Sequence, residues 1–121
     1  MPKILIVDDS ATVRQQISLT LSSAGFEVIE AQDGLAGAET IESRTDLSLV
    51  ICDVNMPRMN GLEMIERIHA GGTRPNLPIV MLTTEGQPAL IKRAKEAGAK
   101  GWIVKPFKAE QLIAAARKLA A

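Results

Sequence analysis

The sequence has little that would connect it to a membrane, to nucleic acid or to an oxidising compartment. It contains one cysteine, Cys52, which excludes an internal disulfide and fits a reducing cytoplasm. Its formal net charge is zero, so no basic excess suggests nucleic acid or anionic lipid as a partner. Every apolar run is far shorter than the roughly 20 residues of a membrane span. We therefore expect a cytoplasmic protein that binds neither nucleic acid nor membrane.

Internal repeats, low-complexity stretches and linkers are also absent from the 121 residues. The first ten residues reach two aspartates after only four apolar residues, which is unlike a signal peptide. A chain of this length suits one domain with a core of its own. We expect residues 1–121 to form a single domain and to be monomeric.

Short apolar runs alternate along the chain with longer segments of helical period. The predicted strands are 3–7, 26–31, 47–52, 77–83 and 101–104. The predicted helices are 10–24, 34–44, 61–70, 88–97 and 109–121, and Gly98 suits a left-handed cap after the fourth helix. This alternation indicates right-handed crossovers and an α/β fold with a doubly wound, parallel, five-stranded sheet.

The apolar pattern indicates where each strand lies in the sheet. Four strands are continuously apolar (ILIV, LVIC, IVML and WIV), which is typical of central strands buried on both faces. The second strand, FEVIEA, alternates and therefore belongs at an edge. Cys52 lies inside the third strand, so we interpret it as a packed thiol rather than a reactive one.

Polar side chains stand at the ends of four predicted strands. They are Asp8 and Asp9 after the first strand, Asp53 after the third, Thr83 at the fourth and Lys105 after the fifth. Ligands of a doubly wound sheet bind beyond the carboxyl ends of its strands. If the first and third strands are neighbours, about 4.8 Å apart, the three carboxylates converge on one small volume.

Such a cluster suits phosphoryl chemistry. Carboxylates repel one another unless a cation shares their site, and Mg²⁺ prefers hard oxygen ligands, retained waters and a phosphate oxygen. Lys105 adds a positive charge and Thr83 a hydroxyl, which suits a reaction that needs positioning and charge neutralisation. We interpret Asp53 as a nucleophile that forms an acyl phosphate. Helix capping alone, the alternative, leaves a suitable group at four strand ends unexplained.

The segments ILIVDDS, DVNMPRMNG, LTT and VKPF together resemble the receiver domain of bacterial two-component response regulators. The likeness covers essentially the whole chain and is greatest to the single-domain chemotaxis regulators of that family. It implies a flavodoxin-like (βα)5 fold with strand order 2-1-3-4-5 and no output domain. It also implies that Asp53 accepts phosphate from the phosphohistidine of a histidine kinase.

The resemblance further implies a ligand set for Mg²⁺. Asp9 and Asp53 would bind the ion directly, the backbone carbonyl of Asn55 would join them, and Asp8 would act mainly through water. On phosphorylation, Thr83 would move to hydrogen-bond the phosphoryl group and Lys105 would pair with it.

Four further positions take roles from the resemblance. The peptide bond before Pro106 would be cis, which would direct the preceding lysine inward. Asn55 and Glu85 would shape the access of the hydrolytic water and imply a short-lived phosphoryl group. Trp102 stands where the chemotaxis regulators usually have tyrosine, and its larger ring would take the place of that aromatic switch residue.

The implied partners are proteins. They are a histidine kinase of the chemotaxis type, a downstream protein and a phosphatase as a third candidate. The downstream protein would dock on the face of the fourth helix, fifth strand and fifth helix, and in chemotaxis it would be the flagellar motor switch. Stand-alone receivers also serve pili, phosphorelays or as phosphate sinks, so the pathway stays open at this point.

Two other function classes fit less well. A phosphatase of the haloacid dehalogenase type also uses an aspartate after an apolar strand, but its general acid lies two residues later, where this chain has Asn55. A flavin carrier would need a hydroxyl- and glycine-rich loop after the first strand, and the acidic segment DDSATVR would repel the flavin phosphate. We therefore predict a phosphorylation-switched binding module that catalyses only its own phosphorylation and dephosphorylation.

Overall fold

The computed structural model describes residues 2–56, 58–72, 76–83 and 88–120, except for the side chain of Thr83. The strands are β1 (Lys3–Val7), β2 (Glu27–Ala31), β3 (Leu47–Asp53), β4 (Ile79–Thr83) and β5 (Gly101–Val104). The helices are α1 (Ala11–Ser23), α2 (Gly34–Ser43), α3 (Gly61–Gly71), α4 (Pro88–Glu96) and α5 (Ala109–Leu119). In these ranges, none of the helices combines the length and hydrophobicity that crossing a membrane requires.

The five strands form one parallel sheet in the order β2-β1-β3-β4-β5. The predicted fold class and strand order are therefore confirmed. The order reverses beside β1, because the chain moves outward to β2 and then returns across β1 to β3. Val7 lies opposite Cys52 in the register of this central pair. The residues that follow these two therefore emerge side by side at the carboxyl edge of the sheet.

The sheet separates two hydrophobic layers. Leu5 and Val7 of β1 enter the layer beneath α2, α3 and α4, whereas Ile4 and Ile6 enter the layer beneath α1 and α5. All four side chains are fully buried. Because successive side chains of a strand point to opposite faces, a strand covered on both faces must be apolar throughout. This explains the continuous apolar run of β1.

Helix ends are defined by local hydrogen bonds and by backbone conformation. Ser10 caps α1 and Asp33 caps α2, each accepting a hydrogen bond from a backbone N–H three residues on. Asn60 and Glu63 form a reciprocal capping box at the start of α3. Gly98 has φ +106° after α4, as predicted, and this conformation favours glycine.

Two details correct the sequence prediction. β3 extends one residue further, to Asp53, because its backbone still pairs with Leu82 of β4. β5 has the apolar pattern of a central strand, yet it lies at the edge of the sheet and Val104 is 49% exposed. Its Trp102 packs against one hydrophobic layer and its Ile103 against the other. Because helices cover both faces of β5, this edge strand has the continuously apolar sequence of a central strand. Other element ends lie within one or two residues of prediction.

Candidate functional site

Three carboxylates meet at the carboxyl ends of β1 and β3. Asp8, Asp9 and Asp53 each place a carboxylate oxygen within 4.8 Å of the other two. Asp8 and Asp53 are buried, whereas Asp9 is exposed. The cluster follows from the register of Val7 with Cys52, because the next residues of the two strands are neighbours. The convergence expected from the sequence is therefore present.

Lys105 reaches this cluster from the end of β5. Its Nζ lies 3.0 Å from Asp8 Oδ2 and 3.4 Å from Asp53 Oδ2. The peptide bond between Lys105 and Pro106 is cis. Since β4 lies between β5 and β3, the lysine crosses the end of β4 to reach both carboxylates. The Lys105 ammonium group, which follows β5, thus contacts carboxylates at the ends of β1 and β3.

The charges at the site are only partly balanced. Burial raises the pKa of the Asp53 carboxyl, and the charge of Asp8 raises it further. Lys105 and the Val54 N–H, which donates to Asp53 Oδ1 at 2.8 Å, offset only part of this effect. Burial disfavours the charged form of Lys105, but its hydrogen bond to Asp8 and the two carboxylate charges prevail, so its pKa is raised. The lysine stays charged, and negative charge remains in excess.

Asp8 is held rigidly by its surroundings. Its Oδ1 accepts the Ser10 N–H at 2.9 Å, and its Oδ2 accepts Lys105. The Arg14 guanidinium donates to the Asp8 carbonyl at 2.6 Å and also pairs with Glu30 at 3.1 Å. Sequence reasoning missed Arg14, whose weak signal is a cation in the first turn of the helix that follows the acidic pair. Both carboxylate oxygens of Asp8 are therefore engaged, while Asp9 faces solvent.

The remaining predicted residues lie around this centre or outside the described ranges. Asn55 is exposed in the loop between β3 and α3. Trp102 is half-buried, and among the described residues its buried Nε1 finds no hydrogen-bond partner. The backbone of Thr83 pairs with Val104 of β5, but its side chain lies outside the described part of the chain, as does the whole of Glu85.

The donor set fits Mg²⁺. This ion takes hard oxygen ligands and retains several waters, and the site offers three carboxylates, one of them open to solvent. Cys52 lies beside Asp53, but its thiol is fully buried and burial raises the pKa of that thiol. It therefore offers no thiolate of the kind that a zinc site would use.

Comparisons with known proteins agree with this geometry. Residues 4–117 match the family described as the response regulator receiver domain. The chain is 43% identical over 106 residues to chemotaxis protein CheY1 of Helicobacter pylori, covering 87% of this chain and 86% of that protein. It is 42% identical to the chemotaxis protein CheY homolog of Campylobacter jejuni, covering 87% and 82% respectively.

Solved structures give the same result. Chemotaxis protein CheY4 of Vibrio cholerae superposes with a TM-score of 0.90 at 39% identity, and the alignment covers 98% of both chains. A CheY-like response regulator receiver domain protein of Methanospirillum hungatei superposes with a TM-score of 0.92 at 28% identity, covering 99% of this chain and 94% of that one.

We predict that Asp53→Asn stabilises the metal-free protein at pH 7. The raised pKa of Asp53 means that the folded state binds its proton more tightly than the unfolded state does. Wild-type stability therefore falls as the pH rises from about 4, the ordinary carboxyl value, through the raised value. The variant lacks this loss and should gain on the order of 1 kcal/mol at pH 7.

Urea denaturation from pH 4 to pH 7, with and without Mg²⁺, measures this difference. The advantage of Asp53→Asn should shrink as the pH falls toward 4, because protonation of the wild-type carboxyl in the folded state then removes its buried charge. Mg²⁺ should stabilise the wild type more than the variant, because only the wild type keeps all three carboxylates. A variant that is less stable than the wild type at pH 7 without Mg²⁺ would contradict this electrostatic account.

Proposed function

The chain belongs to the response regulator receiver domain family, and from that premise we propose that Asp53 accepts a phosphoryl group from a histidine kinase. Members of this family act in phosphorylation-dependent signalling and are not classical enzymes. The observation that supports Asp53 most directly is its burial between Asp8 and Lys105, with the lysine Nζ 3.4 Å from its carboxylate. Phosphorylation would then switch the binding of a downstream protein.

Each group of the site has a part in this reaction. A carboxylate oxygen of Asp53 attacks the phosphorus of the phosphohistidine, and the histidine nitrogen leaves with the electron pair of the broken P–N bond. Lys105 places its charge where it can pair with an oxygen of the transferred group. When Mg²⁺ is bound, it supplies further charge neutralisation. Its proposed ligands are Asp9, Asp53 and the Asn55 carbonyl, with Asp8 acting mainly through water.

We propose that the same site carries the switch. The Thr83 hydroxyl would move onto the phosphoryl group, and Trp102 would respond on the neighbouring strand. The register supports a short path, because Thr83 pairs with Val104 and Trp102 lies two residues earlier in β5. Among the described residues the buried Nε1 of Trp102 has no hydrogen-bond partner, and an unpaired buried donor costs free energy, which would favour a second position of the ring. Asn55 and Glu85 would control the access of water to the acyl phosphate.

The proposed pathway is chemotaxis. The identity of 43% with a chemotaxis protein over most of both chains supports a kinase of the chemotaxis type and the flagellar motor switch as target. The target would dock on α4, β5 and α5, where Val104 is 49% exposed. A phosphorelay, a pilus system or a phosphate sink is the alternative. We propose that the unit works as a monomeric, stand-alone receiver in the cytoplasm, with a phosphatase as a further candidate partner.

We predict one phosphoryl group per chain after incubation with Mg²⁺ and acetyl phosphate, stable in acid and released by hydroxylamine. Asp53→Asn should remove the labelling, because an amide is a poor nucleophile. Asp46→Asn is the control, since Asp46 precedes β3 and lies at the opposite end of the sheet. Intact-mass measurement reads the result, and full labelling of Asp53→Asn would place the acceptor elsewhere.

We also predict that phosphorylation changes the emission of Trp102, the one tryptophan of the sequence. Beryllofluoride with Mg²⁺, a mimic of the phosphoryl group, should change the emission more than Mg²⁺ alone. Thr83→Ala should accept phosphate but show a much smaller change, because a coupling of about 1–3 kcal/mol would be lost. Thr84→Ala serves as the control. An undiminished response in Thr83→Ala would rule out the coupled switch.

A further inference from the structure

The loop between β3 and α3, of which the structure describes residues 54–56 and 58–60, is fixed at its base by the fold. The Gly61 N–H donates to the Val54 carbonyl at 2.9 Å. A Cβ on Gly61 would overlap the carbonyl oxygen of Asp53, so α3 begins directly against the backbone of the proposed acceptor. Asn55, which we propose as a carbonyl ligand of Mg²⁺, follows immediately after this fixed base.

The other side of the loop is fastened to the start of α2. The Gly34 N–H donates to the Met59 carbonyl at 3.0 Å, and a Cβ on Gly34 would overlap that same carbonyl. Next to this contact, Arg58 Nη1 lies 3.4 Å from Asp33 Oδ2. We refer to Asp33, Gly34, Arg58 and Met59 as the loop clamp.

The carboxylate of the loop clamp depends on its arginine. Asp33 is 3% exposed, and its Oδ1 accepts the Ala36 N–H at 2.8 Å while its Oδ2 faces Arg58. A buried carboxylate costs free energy unless hydrogen bonds and a nearby cation compensate for the lost water. The Arg58 side chain is 59% exposed and supplies this charge from the loop. The ion pair therefore favours a loop that lies against α2.

The backbone of Arg58 supports the same conclusion. Its φ is +68°, in the left-handed region that a residue with a side chain rarely adopts. Such a conformation persists where surrounding contacts hold it in place. The ion pair to Asp33 and the hydrogen bond from Gly34 to Met59 are contacts of this kind. Arg58 is thus held in a backbone conformation that the chain by itself would not favour.

We propose that the loop clamp positions the Asn55 carbonyl and thereby sets the Mg²⁺ affinity of the site. This inference rests on the proposed function, because it takes Asn55 as a ligand. Asn55 lies between the fixed base at Val54 and the clamped residue Arg58, so releasing the clamp frees the backbone that carries this carbonyl. Arg58 and Asp33 are positioning residues, since they act on the metal through the loop.

Two variants that neutralise charges of opposite sign distinguish a positioning role from a direct electrostatic effect on the metal ion. Arg58→Gln removes a positive charge, whereas Asp33→Asn removes a negative one and keeps an oxygen that can cap α2. A pure field effect would strengthen Mg²⁺ binding in Arg58→Gln and weaken it in Asp33→Asn. Positioning predicts weaker binding in both, by about tenfold. Calorimetric titration of the metal-free proteins with MgCl₂ at constant ionic strength measures these affinities.

Three further variants test whether the effect on Mg²⁺ affinity comes from the ion pair between Arg58 and Asp33. The double variant of Arg58→Gln and Asp33→Asn should bind Mg²⁺ about as weakly as the weaker single variant, because both changes break one pair. Arg58→Lys keeps the charge and should restore most of the affinity. Arg67→Gln is the matched control, since Arg67 pairs with Glu42 at 2.6 Å and also joins α3 to α2, outside the loop. Its Mg²⁺ affinity should equal that of the wild type.

The outcomes distinguish this inference from the proposed function. Opposite shifts in the two single variants, or unchanged affinity in both while the wild type binds Mg²⁺, would overturn the loop clamp and leave Asp53 as acceptor. A wild type that neither binds Mg²⁺ nor accepts phosphate would overturn both. Urea denaturation shows whether Asp33→Asn folds. If it does not, the comparison of Arg58→Gln with Arg58→Lys tests the inference, because a positioning role requires the lysine to recover Mg²⁺ affinity.

Discussion

Repulsion between the buried carboxylates of Asp8 and Asp53 is the constraint on which the site depends. The sheet enforces this proximity, because β1 and β3 are adjacent and in register up to the residues that precede the two aspartates. Burial and the neighbouring charge of Asp8 both raise the pKa of Asp53, and Lys105 compensates only in part. A cation that joins the cluster would relieve this repulsion, which is the physical reason to expect metal binding and phosphoryl chemistry at the same place.

The sheet and the loops at its carboxyl edge contribute to the site in different ways. The two hydrophobic layers fix the strand ends, and each loop then adds a side chain or backbone group. Arg14 holds the carbonyl of Asp8 on one side, while Arg58 and Asp33 hold the loop after β3 on the other. Groups that reach the reacting centre are thus supported by others that act through the backbone.

Sequence reasoning could predict the carboxylate cluster, because each apolar run ends in its polar residue and parallel strands end at one edge. The strand order required the family resemblance. The edge position of β5 could not be read from its pattern, since helices cover both of its faces. The contacts of Arg14 with Asp8 and of Arg58 with Asp33 were also missed. The latter joins residues 25 positions apart, and depends on how α2 packs beside the loop, which periodicity does not encode.

The measurement that tests the central claim most directly is a crystal structure of the protein with Mg²⁺ and beryllofluoride. We expect beryllofluoride on a carboxylate oxygen of Asp53, the metal ion between Asp9 and Asp53, and the Lys105 ammonium in contact with a fluorine atom. Beryllofluoride bound to any other side chain, or a metal ion bound away from this cluster while Asp53 stays unmodified, would contradict the account.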